Sequence, residues 1–501
     1  MGIKSLFKGA SISLISKVLN ALFNFLTLVI LARILSIEEF GYFNFILTTL
    51  PFLSLLSMLG TDYLGLSDYP LKREKGTYYY NNALISSLII ILSSSFLLAL
   101  IIFGIWFYNY NYNILNPNTN YIYLALIILT PLQSFIIFSR IINQSKLFFF
   151  RSNFPEYIFR PFFFFLFVFF IFIVLKRISM FHITLIYIFV FLITLIISLI
   201  WIRFDLKFDK ASLSRFRFEK SYLLLAPQYA LVQALNQGNL FLFPLFIGHF
   251  LSVSDVSYYR AGSQTASLIS FILVALNNAF APVISKYYVL GKKEDLENLY
   301  LKITKYTLIF STFMYLCVFW YSKEIMSMFG KEFVAHSYVL SLMAFTQIFV
   351  AVSGPSGMLL LMTKKQKYVI FSTIVQLILT FGFSFVLIEK LALLGSIIGL
   401  AIGMSSFNLL LAYFVWSKMN IRIINREICF LLIIFIVALF LLGIIQCFDI
   451  VSQKTILSLI ILLIILLAYC LFIFVYVLQK DEKDIKRLKT DFVNIKKKNV
   501  I

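Results

Sequence analysis

Leu35-Ser36-Ile37-Glu38-Glu39-Phe40-Gly41-Tyr42-Phe43 returns 216 positions later as Leu251-Ser252-Val253-Ser254-Asp255-Val256-Ser257-Tyr258-Tyr259. Each copy has the Ser-x-x-acid form of a capping box, in which the serine and the acid three residues on satisfy the first free N–H groups of a helix. In the order of the apolar blocks along the chain, the two copies open the second and the eighth. An even number of blocks separates them, so both run in the same direction. The fold class that follows is all-α: two parallel six-helix lobes related by a pseudo-two-fold axis along a membrane normal.

The blocks themselves decide that a membrane is involved. They are about 20 residues long, the length that crosses a hydrocarbon core. Hydrophobic side chains make up 61% of the 501 residues and charged ones 13%, with a mean hydropathy of +0.94. Soluble domains carry about a quarter charged residues, so a water-soluble protein is excluded. Runs such as Ile89-Ile90-Ile91-Leu92 do not alternate, which excludes a β-barrel. Spans are predicted at 11–33, 40–66, 81–107, 121–142, 157–175, 182–202, 222–250, 257–289, 300–321, 337–362, 368–388, 393–416, 428–448 and 455–478, about 14 transmembrane helices in all. The predicted organisation is an N-terminal six-helix lobe (1–202), a basic cytoplasmic connector (203–221), a C-terminal six-helix lobe (222–416), two extra transmembrane helices (417–478) and a basic cytoplasmic tail (479–501).

The net charge of +21 is read through the positive-inside rule, with no nucleic-acid partner. With the N-terminus placed in the cytoplasm, 30 of the 43 Lys and Arg residues fall in cytoplasmic segments and six in outer loops. That bias holds across every loop and puts both termini on the cytoplasmic side. Cys317, Cys429, Cys447 and Cys470 lie inside apolar stretches, with neither a disulfide framework nor a metal-ligand spacing. The sequence calls for no cofactor, no metal and no catalytic residue. A polymerase or membrane glycosyltransferase would present carboxylates or basic groups in a sizeable outer loop, yet the longest outer loop, 108–120, has no charge.

Polar residues inside spans are costly and face bundle interiors or wet cavities. In the first span Ser13, Lys17, Asn20, Asn24 and Thr27 recur on one helical face. In the seventh, Gln233 and Asn236 are the repeat partners of Lys17 and Asn20, and Gln237 joins them. Asn44, Thr48 and Asp62 of the second span correspond to Arg260, Gln264 and Asn278 of the eighth. Each of these residues can be interhelical glue or cavity lining. A charge is the more expensive group, which favours a functional role for Lys17 and Arg260. Lys17, Arg140 and Arg160 lie near the cytoplasmic face and are expected to snorkel, whereas Arg260 lies about two turns into its helix. Of the acids, only Asp62 is expected within a span. The cavity is therefore electropositive, suited to an anion such as a diphosphate and poorly suited to a drug cation.

These residues carry a family resemblance. Lys17-x-Leu19-Asn20-x-Leu22, Leu31-Ala32-Arg33-Ile34-Leu35-Ser36-x-x-Glu39-Phe40-Gly41-Tyr42, Ala281-Pro282-Val283-Ile284-Ser285 with the Gly291-Lys292-Lys293-Glu294-Asp295-Leu296 helix, Leu360 to Gln366, and Leu394-Gly395-Ser396-Ile397-Ile398-Gly399 resemble the bacterial oligosaccharide (O-antigen and capsule repeat-unit) flippases. The resemblance covers most of the chain. It implies the fold of lipid II flippases and multidrug and toxic-compound extrusion transporters, within the multidrug/oligosaccharidyl-lipid/polysaccharide exporter superfamily. As substrate it implies a polyprenyl-diphosphate-linked oligosaccharide, moved across the bacterial cytoplasmic (inner) membrane for O-antigen, capsule or lipopolysaccharide biosynthesis. Expected partners are that lipid, anionic membrane lipids and a polysaccharide polymerase. The alternatives are a lipid II or teichoic-type flippase, a cation-coupled multidrug exporter and a membrane polysaccharide polymerase. By position, Lys17 and Arg260 resemble cavity cations of the lipid II branch.

Overall fold

The computed structural model describes residues 3–112, 117–146, 148–175, 178–205, 216–271, 290–363 and 365–447, with 273–274, 276–277, 283–284 and 287–288 between them. The fourteenth predicted span, the basic tail and residues 206–215 of the connector lie outside the described residues. The protein is an all-α polytopic membrane protein. Among the described residues there is no strand, and ten helices are long and apolar enough to cross a membrane. The chain divides into two compact units, one of Met1–Thr265, Lys323–Met343 and Gln366–Phe407, the other of Ala266–Ser322, Ala344–Lys365 and Asn408–Ile501.

In the first unit, α1 (Ile3–Ile34) leads into α2 (Ile37–Met58) through the capping box read from the sequence. The Glu39 N–H donates to Ser36 Oγ at 3.2 Å, and the Ser36 N–H to Glu39 Oε2 at 3.1 Å. The second span differs from its predicted continuous form: Leu59 and Gly60 take left-handed φ of 47° and 81°, separating α2 from α3 (Thr61–Lys75). A Cβ on Gly60 would meet the Ala226 carbonyl oxygen, so glycine permits both the turn and the close approach. Next come α4 (Thr77–Asn111), α5 (Pro117–Ser145), α6 (Phe149–Asn153), a π-turn (Phe154–Phe159), α7 (Arg160–Leu175) and α8 (Met180–Asp205). Helices in a bilayer associate through packing and not through the hydrophobic effect. The Phe-rich α7 does this by ring contacts: Phe164 lies 4.8 Å from Tyr187 and 6.0 Å from Phe43, centroid to centroid.

The second copy of the repeat opens α10 (Val253–Ser267), which follows α9 (Ser221–Phe250). The Asp255 N–H donates to Ser252 Oγ at 3.1 Å, and the shorter acid accepts the serine hydroxyl at 2.6 Å. The two copies touch. Ser257 Oγ donates to the Ile37 carbonyl at 2.9 Å, while a Cβ on Gly41 would meet the Val253 carbonyl and Ser257 Oγ. Residues 37 and 41 are the repeat mates of 253 and 257. The contact is thus reciprocal, as a local two-fold requires.

In the second unit, α11 (Lys293–Trp320) begins after the described part of 271–290, and α12 (Ser322–Ser327) begins at its boundary with the first. The helix α13 (Ser337–Ser353) starts in the first unit and α14 (Ser356–Met362) lies in the second. Within the second unit Tyr300 Oη donates to the Ser353 carbonyl at 2.8 Å, and Ser353 Oγ donates to Asn408 Oδ1 at 3.1 Å. The long α15 (Gln366–Met419) is two helices joined at Ala392, where φ is 47°. Up to Phe407 it folds into an antiparallel hairpin: Gly395, Gly399 and Gly403 approach Leu387, Ser384 and Thr380 so closely that a Cβ would collide. Small residues at four-residue spacing allow that approach, and the eleventh and twelfth predicted spans are these two arms. The last described helix, α16 (Arg426–Cys447), is tied to α11 by an ion pair between Lys305 Nζ and Glu427 Oε2 at 2.9 Å.

Candidate functional site

The polar face of α1 is open. Lys17 and Asn24 are exposed, Asn20 is half-buried, and Asn24 Nδ2 donates to Asn20 Oδ1 at 3.1 Å. By contrast Ser16 and Thr27 are buried and return their hydroxyls to the carbonyls of Ile12 and Phe23. A stripe that shows Lys17 and two amides to its surroundings is expensive against hydrocarbon and cheap against water.

The other sequence-selected residues fall into three settings. Asn44 is buried, with Nδ2 donating to the Phe40 carbonyl at 2.9 Å, and its Oδ1 has no hydrogen-bond partner among the described residues. Asp62 Oδ2 accepts from Gln233 Nε2 at 2.7 Å, which joins the start of α3 to α9. That joint continues along the same pair of helices and the approach to α9: Tyr222 Oη donates to Asp68 Oδ2 at 2.6 Å, and Lys72 Nζ pairs with Glu219 Oε1 at 2.7 Å. Gln237, Arg260 and Gln264 are each half-buried. Arg260 keeps its Nε buried with no hydrogen-bond partner among the described residues, and its charge acts on Tyr187 and Tyr259. Asn278 and the side chain of Asn236 lie outside the described residues.

One expectation is corrected. Asp62 lies in the first turn of α3, outside the candidate spans found among the described residues, whereas Glu156 is an acid buried within one, 6% exposed inside Phe149–Val174. Arg140 Nη1 lies 3.0 Å from Glu156 Oε2 and also donates to Tyr157 Oη. Gln133 Nε2 donates to Glu156 Oε1 at 3.1 Å, and Arg160 Nη1 donates to Gln133 Oε1 at 2.5 Å. The Arg160 guanidinium also stacks over the Phe191 ring at 4.7 Å. Arg140 and Arg160 are therefore engaged within the bundle in place of snorkelling. The signal for this network was present in the sequence: Gln133 and Arg140 are seven residues apart on one span, and Glu156 and Arg160 four apart on the next. Both spacings put the pair on one helical face.

A cavity of about 500 Å³ opens at the turn between α1 and α2, lined by Arg33, Ser36, Glu39 and Ser179 among others. Arg33 is sixteen residues from Lys17, about 24 Å along a helix, so this cavity is separate from the polar face of α1.

Residues 6–288, more than half of the chain, match the profile of the family described as polysaccharide biosynthesis protein. The chain belongs to the polysaccharide biosynthesis protein family. Residues 229–387 of this polysaccharide biosynthesis protein also match the model of the MatE family. A sequence search of curated proteins finds no significant match. Among solved structures, the chain is similar to the lipid II flippase MurJ in an inward closed conformation, with a TM-score of 0.68 at 14% identity, covering 92% of this chain and 98% of that one. It is also similar to an inward-facing multidrug resistance MATE family transporter, with a TM-score of 0.64 at 14% identity, covering 82% and 98%. At such identities the likeness is one of fold.

Proposed function

We propose that this protein is a flippase that moves a polyprenyl-diphosphate-linked oligosaccharide from the inner to the outer leaflet of the bacterial cytoplasmic membrane, for O-antigen, capsule or another surface polysaccharide. The observation that carries this reading is Arg260, a cation held inside the bundle with a buried and unpartnered Nε. The site comprises Lys17, Asn20, Asn24, Asn44, Asp62, Gln233, Asn236, Gln237, Arg260, Gln264 and Asn278. Lys17 and Arg260 supply charge, and the amides supply donors and acceptors for sugar hydroxyls.

A head group of sugars and diphosphate cannot cross hydrocarbon unaided, since its charges and hydroxyls would lose water without replacement. A polar, cationic passage supplies substitutes while the lipid tail stays in the bilayer. Residues 1–202 and 222–416 act as two lobes that rock about the pseudo-two-fold. In the alternating cycle, the Gly41–Ser257 contact and the Asp62–Gln233 to Lys72–Glu219 joint open in turn. The basic connector lies along the anionic cytoplasmic leaflet, and both termini are cytoplasmic. A polysaccharide polymerase on the outer side takes the delivered unit.

Depletion of the protein in its native cell tests this. The expected result is accumulation of a lipid-linked oligosaccharide that externally added glycosidases cannot reach in intact cells and can reach once the cells are opened. Accumulation of the same lipid in a form accessible from outside contradicts the reading.

A further inference from the structure

The network of Arg140, Glu156, Gln133 and Arg160 has no place in the site assigned above, and its charges do not balance. One carboxylate pairs with the Arg140 guanidinium and is bridged by the Gln133 amide to that of Arg160, in a setting where ionised groups are retained only for cause. Lys17 lies within electrostatic reach of Arg140, and Tyr187 within that of Arg160, Arg260 and Glu156 together.

We propose that Arg140 and Arg160 form a diphosphate-binding site in the interior of the first unit, with Glu156 as a resident counter-ion that the phosphates displace. This rests on the reading of the protein as a carrier of diphosphate-linked lipids.

Three features support it. A guanidinium holds phosphate oxygens in pairs through a planar fork, and both forks here are already oriented. Gln133 fixes one edge of Arg160 at 2.5 Å while Phe191 covers its face at 4.7 Å, and the Tyr157 ring lies 5.5 Å from the Arg140 guanidinium carbon. Side chains held this way lose little further freedom when a ligand binds. Second, a doubly esterified diphosphate carries two negative charges, so exchange for one carboxylate brings the surplus of cations closer to neutral. Third, Glu156 sits in the π-turn Phe154–Phe159, a conformation that occurs mostly as single turns inside α-helices and is frequent at functional sites. A carboxylate that only welded the spans together would need neither the second arginine nor the bridging amide.

The test uses the purified full chain in lipid nanodiscs, with farnesyl diphosphate as the probe. Arg160→Gln and Arg140→Gln are each expected to weaken binding tenfold or more, as loss of a charge-assisted contact does. Arg151→Gln removes the same charge from an exposed position and should bind like the unaltered protein. Glu156→Gln is expected to tighten binding several-fold, because the internal competitor is gone; a purely structural Glu156 would loosen it. Arg160→Lys keeps the charge, guards against loss of folding, and should fall between Arg160→Gln and the unaltered protein. On the unaltered protein, inorganic diphosphate should displace the probe and farnesol should not. Equal binding by Arg160→Gln and Arg151→Gln, weakening by Glu156→Gln, or displacement by farnesol overturns this site. If the unaltered protein binds farnesyl diphosphate and the arginine variants bind it equally, the carrier reading stands and this site falls. Failure of the unaltered protein to bind any prenyl diphosphate removes both.

Discussion

Arg260→Gln is expected to reduce export of the surface glycan at least tenfold at equal protein level. Among the described residues the Arg260 Nε is buried without a partner, and none of their acids pairs with it as Glu156 pairs with Arg140. Such a group is costly to retain in a membrane protein unless a ligand uses it. Loss of one charge-assisted interaction with an anion corresponds to about 1.5–3 kcal/mol, or roughly ten- to a hundredfold in affinity. Arg260→Lys should recover part of the activity, since it keeps the charge and gives up the planar fork. Cell-surface glycan, quantified in a deletion strain carrying each variant, decides the matter. Full export by Arg260→Gln would remove this residue from the site.

Glu427→Ala should produce the largest loss of stability. Lys305 is 3% exposed on α11, and the Glu427 carboxylate that meets it at 2.9 Å comes from the first turn of α16. Removing one member of a buried pair costs about 3–5 kcal/mol, because the remaining charge keeps its desolvation penalty and loses its main compensation. Glu427 is itself partly exposed, so the lower end of that range applies. The accompanying variant is Lys305→Met with Glu427→Leu, which replaces both charges by apolar groups of similar size and should restore most of the stability. Thermal unfolding in detergent, followed by fluorescence, is the measurement. A drop for the double variant as large as for Glu427→Ala would mean that packing, and not the ion pair, joins these helices.

Most of the fold was legible because a bilayer simplifies the problem. Spans must be long, apolar and internally hydrogen-bonded, so the hydropathy blocks nearly coincide with the described helices. The capping box at Ser36 and Glu39 could be read because its geometry is local. So could the break at Ala392, which falls between the eleventh and twelfth predicted spans; the break at Leu59-Gly60 could not, since it depends on a distant neighbour, Ala226. The site divides in the same way. The α1 stripe follows from helical spacing alone. Glu156 was hidden by Pro155, because a proline followed by an acid reads as the start of a helix. In the folded chain that proline is carried through a π-turn, where its missing N–H is tolerated, and the helical path has already begun at Phe149. Setting the span to begin at Tyr157 left Glu156 just outside it. Lys305 was concealed differently, by lying in a helix whose neighbour α16 is outside the repeat.

Transport of a charged head group is the centre of this account, and reconstitution measures it most directly. Proteoliposomes holding the purified protein and a fluorescent prenyl-diphosphate-linked oligosaccharide should bring that lipid to the outer leaflet, where a membrane-impermeant quencher reaches it. An uncharged glycolipid with the same sugars and tail should stay behind. Movement of both lipids at the same rate would contradict the cationic passage, and movement of neither would contradict the flippase itself.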